Sequence, residues 1–185
     1  MNDGIYTVKG CYNWLREKKE EVIWYKSVWC SMAAPKHAFI AWLFSHQAMR
    51  MKDMLYEYNV VPDNLCFLCA LAVESHIHVL QDCAYTKQVM QLVTTALGAY
   101  LSSAHVLQQV KRRRWSRLRK NVTTAAILAV WYTVWMQKNM AWLHHMMLSP
   151  SMVVRQVTTS LRNRVRICCN KSILPKNGLW CLMCN

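Results

Sequence analysis

The sequence predicts a mostly α-helical protein, and three observations carry that expectation. Gly and Pro number only four each in 185 residues, too few turn and breaker positions for a sandwich or barrel. Apolar residues make up 54%, enough for a packed core and too many for a disordered chain. Apolar side chains also recur at helical spacing through most of the chain.

Residues 5–15 (IYTVKGCYNWL) read as an extended lead-in followed by a helical turn, and residues 17–21 (EKKEE) as a solvated charged stretch. Trp24 and Trp29 are expected to anchor packing. Pro35 suits the first turn of a helix over 35–48, with Phe39, Ile40, Leu43, Phe44 and Gln47 on its buried face. A short helix over about 51–58 is expected to bury Met54, Leu55 and Tyr58. Residues 60–83 combine turn chemistry at Pro62, Asp63 and Asn64 with a dense set of Cys and His. A helix over 84–98 follows, with Tyr85, Val89, Leu92, Val93 and Ala96 on one face and Gly98 as its stop.

The run KRRRWSRLRK at 111–120 holds seven positive charges in ten residues and leads into an apolar helix over 121–147. There Leu128, Trp131, Trp135 and Trp142 form a stripe flanked by Ile127, Val130 and Val134, a pattern of burial. Pro150 closes that helix. A last helix over 151–167 places Val154, Val157, Leu161 and Val165 inside and Arg155, Arg162, Arg164 and Arg166 outside. The expected organisation is 1–100 as one small domain, 101–167 as a basic helical extension with two longer helices, and 168–185 as an irregular tail.

The charge is divided unevenly along the chain. Residues 1–82 carry eight Lys/Arg and all nine Asp/Glu, whereas 83–185 carry fifteen Lys/Arg and no acid, which together make the net +14. A segment this long without a carboxylate cannot neutralise itself, so its expected partners are polyanions, nucleic acid first. The strongly apolar run 122–136, fifteen residues long, falls short of the ~20 that cross a bilayer, and Gln137, Lys138 and Asn139 interrupt it. We therefore expect a core helix and no membrane partner, with an interfacial helix as the secondary reading.

Nine cysteines in a chain that opens with the polar MNDGIYTVKG do not read as a secreted disulfide framework. A reducing compartment, nuclear or cytoplasmic, is expected. Cys66, Cys69, His78 and Cys83 stand in the spacing C-x2-C-x8-H-x4-C, which suits one tetrahedral zinc. His76 competes with His78, and the distance to Cys83 favours His78. Three thiolates and one imidazole would close the shell and make the metal structural. Cys168, Cys169, Cys181 and Cys184 lack any framing turn or helix signal and read as loose tail cysteines.

Together with these ligands, several further residues carry a family likeness. Val28 and Trp29 precede Ala34-Pro35-Lys36; Phe39, Trp42 and Leu43 follow; then come Lys52-Asp53 with Leu55, and Glu74-Ser75 between the ligands. With the lead-in Tyr6-Thr7-Val8-Lys9, Tyr12 and Trp14-Leu15, this set resembles the zinc-binding domain that follows the reverse transcriptase in plant LINE-type (non-LTR) retroelements. The basic run, the apolar helix and a Trp followed by a Lys-Asn pair extend the likeness over most of 5–142. Met51, Ala70, Val79-Leu80 and Ala84 depart from the family pattern, and Ala70 stands where a Gly would more readily take positive φ. The resemblance implies a C-terminal fragment without its polymerase, with His78 rather than His76 as the ligand.

Lys111, Arg112, Arg113, Arg114, Arg117, Arg119 and Lys120 are the candidate phosphate contacts, with Trp115 available to stack on a base. The same run can also be a solvated basic face. Magnesium-dependent nucleotidyl transfer or hydrolysis needs clustered acids. None follows Asp82, and no Gly-rich phosphate loop exists, so the chain is not expected to be an enzyme or to take a small-molecule substrate. A zinc-folded protein-interaction scaffold, or a retroelement remnant without function, is the alternative to a nucleic-acid-binding module.

Overall fold

The computed structural model describes residues 7–15, 24–102 and 104–168. It is helical, as the sequence predicts. The helices are α1 (Val8–Leu15), α2 (Tyr25–Val28), α3 (Pro35–Ser45), α4 (Lys52–Glu57), α5 (Ala84–Ala96), α6 (Val106–Arg112), α7 (Arg117–His144) and α8 (Pro150–Cys168). A π-turn, His78–Asp82, leads into α5. Among the described residues the β pairing is a single antiparallel bridge, Leu65 to Val73.

Helix α7 is the axis of the structure and packs against α2, α3, α5, α6 and α8. Every residue from Val122 to Trp131 is buried. Ala125, Ala126 and Ala129 lie within that stretch, and their small side chains let neighbouring helices approach closely. One hydrophobic cluster results, drawing on Val28, Phe44, Cys66, Cys83, Val93, Leu128 and Leu161 alike. No helix among the described residues is long and apolar enough to cross a membrane.

The buried faces differ from the sequence pattern in instructive places. In α3, Ile40 and Phe44 are buried as expected, but Phe39 is exposed and Leu43 only half-buried. His37, Ala38 and Ala41 take the inner positions. Gln47 lies beyond the helix end with φ 52° and is exposed. In α4, Leu55 is buried with Met51 and Lys52, whereas Met54 and Tyr58 face outward. In α5, Met90 joins Tyr85, Val89 and Val93 inside, and Leu92 and Ala96 are exposed. Gly98, at φ 61°, stops that helix as expected. Trp24 packs edge-on to His46 at 5.1 Å, but Trp29 is exposed.

The basic run does not precede one helix; it is split between two. Lys111 and Arg112 end α6, and α7 begins at Arg117 because the Ser116 hydroxyl accepts a hydrogen bond from Arg119 N at 3.2 Å. Helix α7 ends where His145 takes φ 51°. Pro150 is therefore the first residue of α8 rather than the stop of α7, a position its fixed φ suits. In α8, Val157, Leu161 and Val165 are buried as expected, and Val153 replaces Val154 as the fourth buried residue. Trp131 is buried, Trp135 half-buried and Trp142 exposed. Of the tail cysteines, Cys168 ends α8 in an exposed position, and Cys169, Cys181 and Cys184 lie outside the described residues, as do residues 17–21.

Candidate metal centre

Residues 64–74 fold into a tight reversal. Cys66 N donates to Ala72 O at 2.8 Å and Glu74 N donates to Asn64 O at 2.9 Å, closing the two arms. At the tip, Ala70 N donates to Cys66 O at 2.8 Å, and Ala70 takes φ 54° to make the turn. This is the left-handed backbone for which Gly would be the easier residue. The turn points Cys66 and Cys69 to the same side.

The second pair of ligands comes from a different device. The Ser75 hydroxyl accepts a hydrogen bond from His78 N at 3.2 Å and starts a helical turn. The chain then winds wider than an α-helix, so that Cys83 N reaches His78 O at 2.7 Å. Such an i to i+5 turn brings residues five apart over one another, which is the spacing of His78 and Cys83. The carbonyl of Val79 is satisfied by the buried Thr86 hydroxyl at 2.7 Å. Cys83 then opens α5, its own carbonyl accepting from Lys87 N at 2.9 Å.

Four donor atoms thereby converge. One ligand atom from each of Cys66, Cys69, His78 and Cys83 lies within 4.8 Å of all the others, and Cys69 Sγ is 3.3 Å from His78 Nε2. Among the described residues these four are the one such gathering of metal-ligating side chains. Cys66 and Cys83 are buried and belong to the core, while Cys69 and His78 are half-buried at its edge. His76 goes elsewhere. Its ring meets Phe44 edge-on at 6.3 Å, and burial lowers its pKa.

Cys66 and Cys83 are linked electrostatically as well as in space. The hydrogen bond between them pulls the Cys83 thiol down, helped by the backbone N–H groups of Thr86 and Tyr85 at the start of α5. The same hydrogen bond, with burial, pushes the Cys66 thiol up. Two adjacent buried thiolates are unfavourable without a cation, and a divalent ion would take both as thiolates. Three sulfurs and one imidazole nitrogen are the donor chemistry of zinc, and the set fits one zinc ion.

A buried ion pair fastens this centre to α7. Glu74, between the two ligand pairs, is fully buried, and its Oε1 lies 3.2 Å from Lys138 Nζ. Glu74 Oε1 also accepts from Lys52 N, and Oε2 accepts from Phe67 N, each at 3.2 Å. Lys138 donates further to Arg50 O at 3.1 Å. Beside it, Lys52 Nζ lies 2.6 Å from Asp63 and 3.9 Å from the centre of the Phe67 ring. Gln137 and Lys138 follow the apolar run as its expected polar end, yet both are buried. Gln137 Oε1 accepts from Leu148 N at 2.9 Å. The signal was present: Lys138 continues the stripe of Trp131 and Val134 at helical spacing, and a charge on such a stripe needs a buried partner.

The basic run is at the surface, away from the four ligands in sequence and carried by other helices. Lys111, Arg112, Arg113, Arg114 and Arg117 are exposed, and Arg119 and Lys120 are half-buried. Trp115 is half-buried, with the Arg119 guanidinium 4.6 Å and the Arg113 guanidinium 5.8 Å from its ring centre. The first turn of α7 contains no acid, so the positive end of its dipole adds to the cations there.

The family model described as zinc-binding in reverse transcriptase matches residues 6–89, a span that contains all four clustered residues. No curated protein and no solved structure matches the chain.

Proposed function

We propose that the span matching the reverse-transcriptase zinc-binding family is a structural zinc module, and that the chain uses it to present a basic helical surface to nucleic acid. The observation that carries the first half is the convergence of Cys66, Cys69, His78 and Cys83 within 4.8 Å. These four would hold the ion in a closed tetrahedral shell, with no position left for a reactive water. The metal's part is to fold the chain. Catalysis is not its role, and the three acids that flank the ligands in sequence are engaged: Glu74 pairs with Lys138, Asp63 with Lys52, and Asp82 lies 3.6 Å from Lys87.

The second half rests on the exposed cations of 111–117 in a segment without a single carboxylate. RNA and DNA both present the phosphates such a surface attracts. The flanking likenesses support an origin in a LINE-type, non-LTR element of plants. Residues 1–100 are read as the zinc module, 101–167 as its basic extension and 168–185 as a tail, in a reducing nuclear or cytoplasmic setting. The test is binding of the zinc-loaded chain to labelled RNA and DNA across a salt series. The expected result is affinity that falls steeply with rising salt. No binding, or binding indifferent to salt, refutes the nucleic-acid half and favours a protein-interaction scaffold.

A further inference from the structure

The seven cations of KRRRWSRLRK are not equivalent, because part of the run is engaged in holding the protein together. Arg119 reaches back with an Nη donating to Gly98 O at 3.0 Å, while its guanidinium plane covers Trp115. Arg113 donates from an Nη to Tyr100 O at 3.5 Å and lies on the Trp115 ring as well. Lys120 Nζ donates to Lys111 O at 3.0 Å, tying the start of α7 to the last turn of α6. These three side chains close the corner between α6 and α7 against the end of α5. Trp115 is packed against the core in the middle of that corner. Arg119 thus occupies ring surface that a stacking base would need.

Lys111, Arg112, Arg114 and Arg117 are different. All four are exposed, they lie within seven residues of one another, and no Asp or Glu follows Asp82 in the sequence. Resting on the nucleic-acid reading above, we infer that these four make the contacts, that they contact phosphates, and that Arg113, Trp115, Arg119 and Lys120 form the corner that presents them. The partner is then the phosphodiester backbone itself. Recognition is independent of base sequence and favours a duplex, whose phosphate density is the higher, over a single strand that offers bases to stack.

The experiment compares salt series for a short DNA duplex and for one of its strands, using the full zinc-loaded chain. It uses wild type and the quadruple variant K111A/R112A/R114A/R117A, each checked by thermal unfolding. Wild type should bind the duplex more tightly than the strand. The quadruple variant should lose about 3 to 4 units of the log–log salt slope on the duplex, close to 0.9 per phosphate contact. A wild-type preference for the single strand overturns the inference without any variant. So does a quadruple variant that keeps its slope. Absence of wild-type binding to either probe overturns the nucleic-acid reading itself, and this assignment with it.

Discussion

The pair Glu74 and Lys138 offers the sharpest test of how the zinc knuckle is fastened to the rest of the protein. Both side chains are all but inaccessible, at 0% and 3%. Removing one member of a buried ion pair costs about 3–5 kcal/mol, because the other charge is left without its partner. Lys138→Met belongs at the lower end, about 3 kcal/mol, since Glu74 keeps two backbone donors, Lys52 N and Phe67 N. Glu74→Leu belongs at the upper end. It strands the ammonium with only Arg50 O as an oxygen acceptor and orphans both backbone N–H groups. For a chain of this size about 3 kcal/mol corresponds to a fall in Tm of roughly 6–12 °C. The double variant should be destabilised by less than the sum of the two, a coupling of about 2 kcal/mol or more. The assay is urea unfolding with zinc held in constant excess, so that metal linkage is common to all four proteins. Lys138→Met within about 0.5 kcal/mol of wild type, or simple additivity of the two changes, would refute the reasoning.

Two further predictions follow from single positions. Ala70 holds φ 54° at the tip of the knuckle, so Ala70→Gly should relieve left-handed strain and stabilise the chain, by up to about 1 kcal/mol after the extra freedom Gly brings to the unfolded state. A destabilised Ala70→Gly chain in the same urea assay argues against that turn. His37 is buried beside α7, and desolvation, with a smaller effect from Lys36, pushes its pKa down to about 4. An unfolded His titrates near 6.5, so between about 6.5 and 4 the unfolded chain holds the extra proton. Stability therefore falls as pH drops through that window, by up to about 1.4 kcal/mol per unit from this group, and levels off below it. His37→Gln should be flatter than wild type over the same range by that amount. Parallel curves would show that His37 is not held neutral by burial.

Much of this structure is written in local pattern, and what is not is written in partners. The ligand spacing could be read because a C-x-x-C turn and a short His-to-Cys step are local geometry. Gly98 as a helix stop and the apolar length of α7 are local in the same sense. The π-turn that aligns His78 with Cys83 depends on Thr86 taking the Val79 carbonyl, which no periodicity displays. Lys138 and Gln137 read as an ending because polarity after an apolar run normally meets water. They are buried because Glu74, sixty-four residues before Lys138, and Leu148 receive them. Trp115 reads as a stacking platform until Arg119 is seen lying on it. Phe39 and Leu92 fit helical stripes but sit off the side that α3 and α5 turn to their neighbours, which a sequence alone does not orient. Pro150 is ambiguous in sequence for a simple reason: the same fixed φ that starts α8 is also what ends a helix elsewhere.

The central claim is that Cys66, Cys69, His78 and Cys83 hold one zinc on which the fold depends. Its most direct test is the metal content of the purified chain, read with its far-UV circular dichroism, for wild type, Cys66→Ser, His78→Ala and His76→Ala. The expected result is one zinc per wild-type and per His76→Ala chain, and none in Cys66→Ser or His78→Ala, with helix signal lost alongside the metal. A wild-type chain without zinc, or a Cys66→Ser chain whose metal and spectrum are unchanged, would contradict it.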